Sequence, residues 1–363
     1  MTLNAILRPT AMPTVSDQLE ALPPYVRALL RPEAYPHPAH DLRLHETHIS
    51  WVVLAGPHAY KVKKPVDFGF LDFSTVERRA AVCADEVRLN RRLCPDVYLG
   101  IVDVVQRRGA YFVGGPGRPV EPAVRMRRLP EAGMLPRLLE SGAVDARLAA
   151  RIARRLARFH TTAATGPGVD EYGGPATVRA NWGENFAQMA PFIGRTLPAD
   201  LAEGIAAYVE RFLAEQAGLL ARRVTGGRIR EGHGDLHAAS ICVEGRRLQL
   251  FDCLEFNPRF RCADVAAEVA FLAMDLDHYG RSDLASAFVG AYVRASGDRE
   301  LPRLLDFYKC YRAYVRGKVL SLRLSEPGLS PAEESEVVAE ARAYFDLARA
   351  YAGGLAGSAA VRR

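Results

Sequence analysis

Residues 233–240 read His-Gly-Asp-Leu-His-Ala-Ala-Ser, and residues 248–252 read Leu-Gln-Leu-Phe-Asp. The first segment places one carboxylate, Asp235, in a loop between apolar stretches. The second places Asp252 at the end of a short strand, and the strands around 230–256 are expected to form a hairpin. Two aspartates brought together in this way suit phosphoryl transfer from ATP to a hydroxyl. One accepts the proton of the attacking hydroxyl, and the other holds the magnesium ions that neutralise the phosphates. Asp235 is therefore the candidate catalytic base and Asp252 the candidate Mg2+ ligand. Glu255, three residues on, can face the same space. His233 is expected to fix the loop by hydrogen bonds. His-x-Asp-x-His is also the spacing of a metallohydrolase, but the remaining histidines (His37, His40, His45, His48, His58, His160, His278) form no second metal-spaced cluster.

A lysine is the third requirement. Side chains alternate along a strand, so in Ala59-Tyr-Lys-Val-Lys63 the residues Ala59, Lys61 and Lys63 share one face. Lys61 can pair with the α- and β-phosphates of a nucleotide, with Lys63 in reserve. The competing reading is an edge strand protected from aggregation by its lysines. Glu86, in the middle of a helix with Cys83 and Leu93 on a mainly apolar side, can orient Lys61 through an ion pair; otherwise it is a surface acid beside Arg88 and Arg92. Asp264 opens a helix and is expected to cap it. Arg259, Arg261, Lys309, Arg312 and Lys318 either contact an acidic substrate or pair with surface acids.

The elements that must hold these groups change character along the chain. Residues 41–64 read as three short strands around an Ala-Gly-Pro-His turn at 55–58. Ser74-Thr-Val-Glu77 is a capping-box pattern for a helix that runs to Leu93. Strands follow at 101–105, 110–113 and 123–129. Beyond about residue 135 helical spacing takes over: Leu148, Ile152, Leu156 and Phe159 mark a helix at 144–163. The Gly- and Pro-rich 165–184 reads as a loop, 197–224 as a helix, and the stretch after 256 as helical to about Gly353. The expectation is an α+β chain with a mobile tail at 1–18, a strand-rich N-lobe at 19–130, a helical C-lobe at 131–353 carrying the hairpin 230–256, and a tail at 354–363.

Composition bounds the function. A length of 363 residues suits two domains, and 49% hydrophobic with 25% charged residues is ordinary for a globular protein. No apolar run reaches the length that spans a bilayer, no signal pattern opens the chain, and the expected setting is cytoplasmic, away from membranes. The six scattered cysteines are expected to be reduced and buried. The net charge of +6 is mild and the arginines are not interleaved with aromatics, so nucleic acid is not an expected partner.

Gly-His-Gly-Asp-Leu-His at 232–237, followed by Phe-Asp-Cys-Leu-Glu-Phe at 251–256, resembles the catalytic and metal-binding loops of the aminoglycoside phosphotransferase/choline kinase-like superfamily. Segments 46–52, 60–66, 68–75 and 308–316 resemble a bacterial group within it, whose members are often fused to a C-terminal P-loop domain. The resemblance runs from about residue 20 to 350. It implies a bilobal protein-kinase-like fold with ATP and Mg2+, Asp235 as base, Asp252 as metal ligand and Lys61 as phosphate ligand. It puts Thr47 to Ser50 at the phosphate-covering loop. Met126 to Leu129, including Arg127, would be the hinge that holds adenine through backbone groups. No Gly-x-x-x-x-Gly-Lys-Ser/Thr occurs, so the expectation is a kinase-like part standing alone, with a separate P-loop protein as a partner to be tested. The superfamily carries asparagine where this chain has Ser240. Serine is also a hard oxygen ligand, but a shorter one.

The reading that follows is an ATP-dependent kinase for a hydroxyl of a small metabolite. A polycationic aminoglycoside needs a site lined with acids, whereas the closing helices carry Arg and Lys as often as Asp and Glu. A sugar, a sugar acid or another hydroxylated metabolite fits better, with Glu255, Lys309 and Arg312 as candidate substrate contacts. The alternative from a different class is a nucleotide-binding pseudokinase that regulates a partner, motivated by Ser240. Protein kinase activity is a third reading, disfavoured by the helical insert at 135–225.

Overall fold

The computed structural model describes residues 22–69, 71–325 and 328–354. The expected tail at 1–18, and the expected 354–363 tail beyond Gly354, lie outside the described residues. The chain has the expected α+β composition and divides into two compact units, one of residues 22–133 with 242–257 and one of 134–241 with 258–354.

The first unit is built on a six-stranded sheet of order β1-β2-β3-β6-β4-β5, antiparallel throughout. Its strands are β1 (Arg43–Glu46), β2 (Ser50–Ala55), β3 (His58–Lys63), β4 (Tyr98–Arg107), β5 (Ala110–Val113) and β6 (Arg118–Arg127). β6 begins five residues before the strand expected at 123–129. Period-two alternation divides β3 between two faces. Tyr60 and Val62 enter a core with Val26, Leu29, Trp51, Val53, Val104 and Ala123. The opposite face carries Lys61 and Lys63 and is packed by the Val76–Asn90 helix, through a cluster of Cys83, Val87, Tyr98 and Val124. That helix is capped by Thr75, whose hydroxyl accepts the Arg78 N–H. The expected cap, Ser74, is drawn aside by Asp72, whose carboxylate accepts its N–H and O–H.

Residues 242–257, expected within the helical part, group with the sheet because their partners are there. Arg127 grips Glu244 with two bonds of 2.7 Å, and Phe256 packs on the cluster of Ile49, Leu71 and Phe73. The hairpin itself is narrower than expected: β8 (Ile241–Glu244) pairs with β9 (Arg247–Leu250). The strand before Asp235, β7 (Ile229–Glu231), pairs instead with β10 (Cys262–Asp264).

The second unit is helical around Val265–His278, in which every residue from Val265 to Leu276 is buried. A helix apolar on all sides has to be enclosed by others. Ser282–Ser296 and Pro302–Arg323 pack on it, Ala146–Thr162 packs on Ser282–Ser296, and Pro331–Ala352 packs on Pro302–Arg323. Asp264 does cap the central helix, accepting the Ala266 N–H at 2.8 Å. It also joins Asp298 in enclosing Arg223, at 2.6 and 2.5 Å. The expected 165–184 loop is corrected: a helix, Pro175–Met189, occupies its second half. Proline suits the first helical turn, where no N–H partner is needed, so Pro175 opens a helix here. The single helix expected at 197–224 is two, Ala199–Glu215 and Ala217–Thr225, broken at Gln216. All six cysteines are buried and none forms a disulfide. No described helix is long and apolar enough to cross a membrane.

Candidate active site

In the sheet unit, five ionisable side chains from three distant segments meet. Lys61 Nζ lies 2.9 Å from Glu86 and 2.7 Å from Asp252. Lys63 Nζ lies 2.5 Å from Glu86 and 2.6 Å from Glu255. Glu86, at the centre of the capped helix, thus joins both lysines. Burial works against the charge on Lys61, but the carboxylates of Asp252, Glu86 and Glu255 outweigh it, and its pKa sits well above the ordinary lysine value. Lys63 is shifted upward in the same way, its burial overcome by Glu255 and Glu86. Burial opposes the Glu86 carboxylate, but Lys61 and Lys63 hold its pKa down. For Glu255 burial wins and the pKa rises, helped by Glu86 against the pull of Lys63.

The members differ in access. The Asp252 side chain keeps 23% of its surface, against 5% for Lys61 and 0% for Lys63. Asp252 is held in a left-handed backbone conformation, φ 68°, which aspartate tolerates better than most residues. Its N–H donates to the Tyr98 hydroxyl at 3.2 Å, and the next N–H, of Cys253, donates to the Asn90 side chain at 2.9 Å. These two anchors were not anticipated. Asn90 lies one helical turn after Glu86, and no local pattern marks it.

The remaining candidates of this unit are placed as follows. Ser50 is fully buried opposite Lys63 in the β2–β3 register, and its hydroxyl has no hydrogen-bond partner among the described residues. Its backbone closes the tight turn with Thr47. Met126 packs against the cluster that contains Cys83, Val87, Tyr98 and Val124. The backbone N–H of Arg127 is engaged by Val97 at 2.8 Å and that of Arg128 by Pro57 at 2.9 Å. Lys63 and Glu255, considered for nucleotide and substrate, face each other inside the unit, 0% and 3% exposed.

In the helical unit, residues 232–240 form a loop fastened from below by two acids. Glu268 accepts the N–H groups of His233 at 2.7 Å and Gly234 at 3.2 Å, and meets His160 at 3.1 Å. Burial alone would raise its pKa, but His160 first, then His233 and the Gly234 N–H, bring it down to about 2. Asp275 accepts the Ala238 N–H at 2.7 Å. The loop lies so close that a Cβ at Gly232 would stand 2.2 Å from the Glu268 carboxylate; Gly234 has φ +84°, open chiefly to glycine. His233 Nδ1 accepts the Asp235 N–H at 3.3 Å, which is the loop-fixing role expected of it. Asp235 is 1% exposed, and its Oδ1 has no hydrogen-bond partner among the described residues. Its Oδ2 is 3.7 Å from His237 Nε2. Because His237 Nδ1 accepts the Ala239 N–H at 3.2 Å, the neutral ring carries its proton on Nε2, facing Asp235. The Ser240 hydroxyl donates to the His237 carbonyl at 2.8 Å and accepts the His237 N–H at 3.1 Å, closing the turn.

Of the basic candidates, Lys309 is held by Asp277 at 2.7 Å, which also accepts the Tyr351 hydroxyl at 2.6 Å. Arg312 is buried over the Phe271 ring, 4.7 Å from its centroid.

No protein-family model matches the chain. It is 38% identical over 294 residues to uncharacterized proteins of Mycobacterium tuberculosis and Mycobacterium bovis, a match covering 80% of this chain. The chain spans 57% of the length of those relatives. Among solved structures, choline kinase from Cryptosporidium parvum superimposes with TM-score 0.53 at 9% identity, over 88% of this chain and 91% of the other. The microcompartment-associated aminopropanol kinase gives 0.52 at 14% identity, over 94% and 98%. A GDP complex of aminoglycoside 2′-phosphotransferase-IIIa gives 0.51 at 12% identity, over 86% and 93%. The chain therefore has the fold of the aminoglycoside phosphotransferase/choline kinase-like superfamily.

Proposed function

We propose that the protein is an ATP-dependent phosphotransferase acting on a hydroxyl group of a small metabolite. The observation that carries this reading is the set Lys61–Glu86–Asp252: a buried lysine kept charged by an internal glutamate and by an aspartate that retains access to solvent. A lysine–glutamate pair and an aspartate for Mg2+ are the parts that phosphoryl transfer uses.

The donor set fits the group it would hold. Mg2+ takes hard oxygen ligands, commonly one or two carboxylates completed by phosphates and water, and Asp252 is the accessible carboxylate of its cluster. Magnesium-bound ATP would supply the γ-phosphoryl group and a stabilised leaving diphosphate. Asp252 would hold the ion, its backbone fixed by Tyr98 and Asn90. Lys61 would bind phosphate oxygens while Glu86 keeps it in place. Asp235 Oδ1 would take the proton of the acceptor hydroxyl, as the hydroxyl oxygen bonds to phosphorus and the bond from phosphorus to ADP breaks. Within 126–129 the backbone N–H groups of Arg127 and Arg128 are engaged, so Leu129 would offer adenine its N–H. Glycine at 232 and 234 lets the loop lie against Glu268, which fixes the base.

The test is transfer of label from γ-labelled ATP, with Mg2+, into a pool of hydroxylated metabolites. The wild type is expected to transfer it, and Asp235→Asn to lose about a hundredfold or more in rate, the usual scale for a positioned general base. Equal transfer by both proteins would refute the assignment.

A further inference from the structure

Around the Asp235 loop the acids are committed and a base is not. Glu268 is occupied by two backbone N–H groups and His160, and Asp275 by the Ala238 N–H. Arg316, on the Pro302–Arg323 helix, is 7% exposed. Its Nη2 donates to the Tyr344 hydroxyl at 3.3 Å, and the guanidinium stacks 5.3 Å from the same ring. Its Nε and Nη1 are buried with no hydrogen-bond partner among the described residues. Asp235 and Asp275 are both among the charges that act on it. One turn earlier, Arg312 lies on Phe271 with a single long bond of 3.4 Å to the Ala267 carbonyl. Phe271 in turn meets the ring of His237, 5.7 Å between centroids.

A guanidinium is donor-only, and buried donors left unmade are costly. Its planar fork is matched by the paired oxygens of a carboxylate or phosphate. A cationic acceptor would need the reverse, unengaged carboxylates beside the base, and Glu268 and Asp275 are both held by the loop backbone.

We propose that the acceptor is an anionic hydroxy compound, its carboxylate or phosphate bound by Arg316 while its hydroxyl meets Asp235. This rests on the phosphotransferase reading for the role of the hydroxyl, but the anion subsite can be tested without turnover.

Binding of D-gluconate, D-glycerate and D-glucose 6-phosphate to the full chain is compared with that of D-glucose, glycerol and D-glucosamine, by calorimetry and thermal shift. The wild type is expected to bind at least one of the anions and to prefer it over its neutral and amino analogues. The carboxylate and phosphate arms identify which oxyanion is held. Arg316→Gln should weaken that binding roughly thirtyfold or more, the scale for removing one partner of a buried charge pair. Arg316→Lys, which keeps the charge and loses the fork, should recover only part of it. No anion binding by the wild type, a preference for glucosamine or a neutral analogue, or undiminished anion affinity in Arg316→Gln would each overturn the proposal. If circular dichroism shows Arg316→Gln unfolded, the wild-type panel and Arg316→Lys decide. Arg316-dependent anion binding without phosphate transfer would sink the kinase reading alone, and transfer to neutral or amino acceptors only would sink the subsite alone.

Discussion

Lys63→Met is expected to unlock the sheet unit in a pH-dependent way. The two lysines and three carboxylates of the buried cluster sum to one negative charge (+2 − 3). Methionine fills a similar volume without charge and leaves two negative charges (+1 − 3). Glu86 and Glu255, which approach the same ammonium at 2.5 and 2.6 Å, would then face each other with only Lys61 left to offset their charge. Removing one partner of a buried pair costs about 3–5 kcal/mol. Part of that loss is recoverable by protonation. Burial, then the charge of Glu86, already raises the pKa of Glu255 above its ordinary 4.5, against the pull of Lys63. Without Lys63 it rises further. A carboxyl whose folded pKa is raised favours the folded state at low pH and loses that contribution as pH climbs from the unfolded value through the folded one, by up to about 1.4 kcal/mol per pH unit. Thermal melts of wild type and variant between pH 5 and 8 are the assay. The variant's midpoint should fall on the order of 10 °C below wild type at pH 8, and the gap should narrow toward pH 5. A deficit under about 2 °C, or one that ignores pH, would refute the reasoning.

Arg223→Met should cost about 3–5 kcal/mol in urea unfolding, because Asp264 and Asp298 would both be left buried at 2% exposure without their partner; a loss below about 1 kcal/mol would contradict it. Glu268, lowered from 4.5 to about 2, stabilises the fold above pH 4.5 and loses that contribution as pH falls toward 2, about 3 kcal/mol in all. Glu268→Gln should therefore flatten the acid limb of a stability–pH curve, and an unchanged limb would show that other carboxyls set it. Ser240→Asn should lower the Mg2+ concentration that gives half-maximal turnover, if the turn closed through His237 tolerates the longer side chain. An unchanged Mg2+ titration in a folded variant would remove this position from metal binding.

The local part of the site could be read directly from residue order. Alternation in β3 separates Lys61 from Tyr60 and Val62, and the spacing of Cys83, Glu86 and Val87 gives the acid an inward face. The partner of Lys63 could not be read that way, because Glu255 is 192 residues away and strand alternation does not name what covers a face. The same limit misled the pairing of β7, whose partner Cys262–Asp264 follows a loop with no strand period. Helix Pro175–Met189 was missed because glycine and proline density was read without regard to position, although Pro175 stands where proline starts a helix. Arg316 was not among the basic candidates singled out from the sequence. Burial on nearly every side of Pro302–Arg323, from residue 307 to 321, comes from the neighbouring helices rather than from its own pattern.

The sheet unit is interrupted in sequence by the whole segment 134–241. Lys61 and Asp252 are 191 positions apart, so at about 5–20 residues per second a ribosome delivers the second roughly 10–40 s after the first. Until Asp252 and Glu255 are made, Glu86 is the one carboxylate of the cluster available to Lys61 and Lys63. A sheet begun before the helical segment 134–241 is thus completed only after that segment has been made.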